Sequence, residues 1–307
     1  MRRTAMLLLL LCCATLGAQY QLAVSTRNFS IHTPDGNYAV SRSFLAQLDA
    51  RVDALHMSLG VYLDAAAPVY VVPDSVAYES LTGGQSAIVE FSDAFYSSAD
   101  QRIYIRGGAP LGTSYGGIIL HEYTHWYLDQ LLTGAPLWLH EGLATLHGNQ
   151  LGLDRYFLYV RERFWGRNLD LFSLAYTYPE RRQDWELYYL ASFFAVKYMR
   201  DQEPAAWRAF WAQVDANQRR GVKTRFGPAF RTAYGMDLYA FHQSFADHSR
   251  RQAWIYLLTG FGSLLFAALP LLLIWAVLRH RRRLRALPDL PLPEETPPED
   301  ADEPPPA

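Results

Sequence analysis

The sequence predicts an α+β fold, and two observations predict it. Short β-branched or aromatic runs gather before about residue 106, whereas helical spacing of apolar residues dominates from Tyr115 onward. A composition of 50% hydrophobic and 19% charged residues over 307 positions excludes a wholly disordered chain and supplies a packed core.

The elements follow in order. Phe29 to His32 reads as a strand and Pro34-Asp35-Gly36 as a turn. Val40, Phe44, Leu48, Val52, Leu55 and Leu59 repeat at helical intervals. Val69 to Val72 is a β-branched strand bounded by Pro68 and Pro73, and Ala87 to Phe91 and Ile103 to Ile105 are further strands. Phe95 and Tyr96 pair with the last of these around a turn at Ser98 to Asp100. Helices are expected over about 115–132, 137–149, 154–165, 181–201, 204–218, 223–234 and 237–250.

The ends carry separate signals. Residues 1–18 read as a signal peptide: Arg2 and Arg3, an apolar run from Ala5 to Leu16, then Gly17 and Ala18. Both cysteines, Cys12 and Cys13, lie inside it, so the mature chain has no disulfide and no thiolate metal site. Residues 19–249 are then an extracytoplasmic domain. Residues 253–278 are uncharged, flanked by Trp254, Tyr256 and Trp275, and read as a transmembrane helix with the lipid bilayer as its partner. Arg279, Arg281, Arg282, Arg283 and Arg285 outweigh Arg250 and Arg251, which puts the C-terminus in the cytoplasm. Residues 279–307 form a basic juxtamembrane segment and an acidic Pro-rich tail, a docking peptide for a cytoplasmic partner. The expectation is a single-pass protein, with its N-terminal domain periplasmic or extracellular, in a bacterial cell membrane. The net charge of −2 excludes nucleic acid as a partner on electrostatic grounds.

The chemistry concentrates in His121-Glu122-Tyr123-Thr124-His125. On a helix, residues i and i+4 share a face, so both imidazoles can reach one Zn2+ ion. Glu122, on an adjacent part of the surface, reaches a water rather than the metal and serves as its base. The surrounding apolar residues Ile118, Ile119, Leu120, Trp126 and Leu128 bury the motif, and a buried His-Glu-His cluster needs a partner to offset its desolvation. A catalytic zinc takes a third protein ligand and leaves a position open. Glu141, in the first turns of the next helix after Pro136, is the choice; His140, His147 and Asp129 are rivals. Thr145, one turn on, is the nearest residue to orient that ligand.

The pair "HEYTH" and "PLWLHEGLA" resembles the peptidase-MA-like zinc metallopeptidases of the gluzincin group, strongest over 118–148 and extending over roughly 70–245. The resemblance implies a zincin-like metallopeptidase domain, with metal ligands His121, His125 and Glu141 and Glu122 as catalytic base. It also implies that the strand Arg102–Ile105, followed by Gly107-Gly108, is an edge that pairs with an extended peptide or protein substrate. Within Trp185–Phe193, a Tyr-x-x-Ser pattern places Tyr189, and less favourably Tyr188, as the oxyanion donor. The expected function is therefore a membrane-anchored zinc peptidase acting on extracytoplasmic proteins or peptides. The alternative is a non-catalytic zinc-binding receptor or scaffold that links an outer domain to a cytoplasmic partner through its tail.

Overall fold

The computed structural model describes residues 20–37, 40–82, 92–107, 115–148, 157–159, 161–162 and 169–285, without the side chains of 260, 261, 264 and 265. The signal peptide at 1–18, the strand expected at 87–91, Gly108, most of the helix expected at 154–165 and the tail beyond 285 lie outside these residues. Two compact units are distinguished, one ending at Trp254 and the other beginning at Ile255.

The first unit opens with strands β1 (Gln21–Ser25) and β2 (Phe29–Thr33), helix α1 (Arg42–Leu59), strand β3 (Ala67–Val72) and helix α2 (Ser75–Thr82). Strands β4 (Ala94–Ser97) and β5 (Arg102–Arg106) complete a five-stranded sheet of order β1-β2-β3-β5-β4. The outer pairs are antiparallel, but β2, β3 and β5 run parallel, with Ile31 opposite Val69 and Val69 opposite Ile103. The arrangement is thus mixed α/β, which corrects the α+β expectation. Parallel neighbours require a crossover, and α1 supplies it between β2 and β3. Its boundaries are legible in its caps: the Ser41 hydroxyl accepts the Phe44 N–H at 3.1 Å, and Gly60, at φ 70°, ends it with an N–H bond to His56 O of 2.8 Å.

Alternation sorts the sheet's two faces. One face bears a row of rings: His32 stacks on Tyr70 at 4.8 Å, Tyr70 meets Tyr104 at 5.8 Å, and Tyr104 meets Phe95 at 5.2 Å. Tyr78 of α2 packs against this row. Ile31, Val69, Ile103 and Ile105 are buried on the other face, where helix α3 (Tyr115–Leu131) packs across the sheet. A short β6 (Leu132–Thr133) leads into α4 (Leu137–Gly148). The helices α5 (Trp185–Gln202) and α6 (Pro204–Gln218) follow; then β7 (Thr224–Arg225), which pairs with β6, and α7 (Phe226–Tyr234). The close approach of α4 to α5 is made possible by Gly142: a Cβ there would lie 2.8 Å from the Ser192 carbonyl carbon and nearer still to its oxygen.

The last helix, α8, runs from Leu238 to Arg285 and contains the run 253–278. Among the described residues, no helix is long and apolar enough to cross a membrane. The expected transmembrane helix, the bilayer as partner and the single-pass localisation are corrected accordingly. The expectation rested on the length and apolarity of an uncharged run with aromatic residues near its ends. The run begins on a helix that buries Phe241, Phe245 and Ala253, and it includes the hydroxyls of Thr259 and Ser263 before the arginines of its last turns.

Buried histidines give the fold a defined acid response. Burial pushes His147 and His242 down to about 4. It also lowers His56, whose Nε2 lies 3.0 Å from the Tyr123 hydroxyl. A histidine depressed in the native state binds its proton more readily when unfolded, so its stabilisation is complete above the unfolded value of about 6.5 and is lost as pH falls toward the native one. His121 opposes this trend, being raised. The metal-free chain is therefore expected to lose about 5 °C or more of melting temperature between pH 7 and pH 4.5, starting near pH 6.5, as followed by calorimetry.

Candidate metal centre

Helix α3 places His121 and His125 one turn apart on the same face, and α4 brings Glu141 against both. His121 Nε2 is 3.3 Å from Glu141 Oε2, and His125 Nε2 is 3.6 Å from Oε1. One ligand atom from each of the three residues falls within 4.8 Å of the others, so this group could hold a metal ion. Glu141 is 1% exposed and His121 8%. Within the group, burial pushes His125 down to about 3, leaving a neutral imidazole with a free lone pair. For Glu141, burial alone would raise the carboxyl, but His125, His121 and the Tyr178 hydroxyl override it and hold it down at about 2. Two imidazoles and a carboxylate are a donor set that suits zinc. Glu141 Oε2 and His121 Nδ1 are buried without a hydrogen-bond partner among the described residues, and a cation beside Oε2 would satisfy the former.

Glu122 lies on the adjacent side of α3, lining the same cleft of about 330 Å³. Burial raises its carboxyl to about 7; His121 and the Tyr96 main-chain N–H pull the other way. The cleft is walled by Ala94, Phe95 and Tyr96 of β4.

The rival ligands fall outside the three-residue group. His140 stacks on His125 with ring centroids 5.9 Å apart. His147 approaches Ser58 at 3.3 Å. Asp129 lines the cleft one turn beyond His125 and accepts a 2.7 Å bond from the Tyr96 hydroxyl. Tyr189 lines the cleft with its ring 6.1 Å from that of His121. Tyr188 is buried away from it and donates to Leu174 O at 3.1 Å. The strand Arg102–Ile105 is not an edge, because β5 is paired on both sides; among the described residues the edge on that side of the sheet is β4.

Sequence reasoning missed Tyr178, whose hydroxyl donates a short bond to Glu141 Oε1. It expected Thr145 in that role, but the Thr145 hydroxyl is buried without a hydrogen-bond partner among the described residues. Tyr178 is delivered by the segment before α5, which is fixed at several points. Leu137 N–H bonds to Ala175 O at 2.6 Å, Trp185 Nε1 to Pro179 O at 2.9 Å, and Arg181 to Asp184 at 2.8 Å. The only advance signal was a cluster of tyrosines at 176 and 178, which composition alone does not distinguish from packing.

Comparison with known proteins finds no protein-family model that matches the chain and no curated protein that matches it.

Proposed function

We propose that the chain is a zinc-dependent peptidase. The observation that carries this reading is the meeting of a metal-capable His121-His125-Glu141 group with a separate buried carboxylate, Glu122, in one cleft beside a sheet edge. The resemblance of the two motifs to gluzincin peptidases points the same way.

His121, His125 and Glu141 would hold the ion, which when bound supplies Lewis-acid polarisation of a carbonyl and acidification of water. A peptide lies extended along β4, whose backbone offers it a ladder of hydrogen bonds. Glu122 takes the proton from the attacking water onto a carboxylate oxygen and delivers it to the nitrogen of the leaving amine. Tyr189 and Tyr178 present phenols to the cleft, where a hydroxyl donates to the oxygen that gains negative charge. Tyr178 also holds one oxygen of Glu141, leaving Oε2 for the ion.

The test is Glu122→Gln in the zinc-loaded full chain. The variant is expected to retain one zinc and to lose about 10²- to 10⁴-fold in cleavage of a mixed peptide library, read by mass spectrometry. Unchanged cleavage would remove Glu122 from the mechanism. Absence of cleavage in a zinc-loaded parent would favour the non-catalytic metal-binding reading.

A further inference from the structure

The cleft contains one ionisable carboxylate that neither the metal group nor proton transfer uses. His121, His125 and Asp129 fall at i, i+4 and i+8 of α3, so Asp129 lies about 6 Å along the helix from the second histidine. That distance corresponds to roughly two residues of extended peptide. Tyr96 of the edge strand tethers the Asp129 Oδ2 atom at 2.7 Å. No lysine or arginine is among the described residues lining the cleft, so no fixed side-chain cation there pairs with this carboxylate.

We propose that Asp129, oriented by Tyr96, reads a positive charge on the substrate within two residues of the bond cut, so that the enzyme takes peptides bearing an ammonium or guanidinium group there. The inference rests on the peptidase reading. Two sources share the chemistry: the free α-amino group of a peptide N-terminus and the side chain of lysine or arginine. The simpler role, a tie between β4 and α3, needs only a hydrogen-bond acceptor. Asn at this position supplies the acceptor without the charge, so the two roles separate.

The experiment uses the zinc-loaded full chain and four probes that grip a metal through the same hydroxamate: arginine hydroxamate, N-acetyl-arginine hydroxamate, leucine hydroxamate and N-acetyl-leucine hydroxamate. Calorimetry measures binding without turnover. A cationic probe is expected to bind about 10- to 100-fold more tightly than N-acetyl-leucine hydroxamate. The advantage should vanish in Asp129→Asn and persist in Asp129→Glu, with zinc content equal in all three. An advantage shared by the two arginine probes and absent from leucine hydroxamate identifies a basic side chain as the source; one shown by leucine hydroxamate identifies the α-amino group. Equal binding of all four probes, or an advantage that survives Asp129→Asn, overturns the proposal while leaving the peptidase reading intact. Failure of every probe to bind a chain that retains zinc overturns both, because the ion then has no open position.

Discussion

Glu141→Gln is expected to yield a folded chain that no longer responds to zinc. In the parent, an ion bound at a thousandfold excess over its dissociation constant adds about 4 kcal/mol of stability. For a domain of this size that raises the melting temperature by about 10 °C relative to a chelated sample. The variant keeps the volume of the side chain but loses the charge that His121 and His125 face at 3.3 and 3.6 Å. Its metal-free stability should fall by only about 1–3 kcal/mol, the cost of a mismatched buried hydrogen bond. Its zinc-induced rise should be abolished. Paired melting curves with zinc and with chelator separate the two effects. An unaltered zinc-induced rise would place the ion elsewhere.

The second large effect is expected at Gly142→Ala. Helix propensity alone favours alanine over glycine by about 1 kcal/mol. Packing reverses the sign, because the new Cβ would be driven into the Ser192 carbonyl and the Val196 side chain of α5. Backbone on one side and a buried residue on the other leave little room to give, so α4 must move. The expected loss is about 3 kcal/mol, or roughly 6–12 °C in melting temperature. Because position 142 adjoins the third ligand, zinc affinity should fall in parallel. Gly227→Ala is the control: that helical glycine has nothing within 4 Å of its would-be Cβ, and the substitution should be neutral or mildly stabilising. Equal melting temperatures for the two variants would contradict the packing at α4–α5.

The metal group was legible in the sequence for a local reason. The spacing of His121 and His125 fixes their shared face before any tertiary structure is known. Glu141 needed one further assumption, a tight return between α3 and α4, which Gly134 and Pro136 signal. Tyr178 was not legible as a site component, and Asp129 was legible only as a rival ligand. Tyr178 reaches Glu141 across 37 residues of chain, and Asp129 acquires its setting from Tyr96, 33 residues earlier. No periodicity encodes such meetings. Strand pairing was hidden for a related reason. Val69 to Val72 was evident as a strand, but its neighbours were not, so β5 was taken for an edge and β2–α1–β3 for a simple succession. The run 253–278 shows the opposite failure, where a strong local pattern was given a meaning that the structure does not support.

Tyr96 ties two different things with two different parts of itself. Its amide favours the charged form of Glu122, and its phenol holds Asp129. Every amino acid except proline brings the amide, but only a hydroxyl at the right reach brings the second bond. On the proposed peptidase reading, substitution at this one position would change which substrates are preferred while sparing the proton acceptor. Selectivity under that reading would be free to drift over generations by point mutation, with the proposed chemical step insulated from the drift by the main chain.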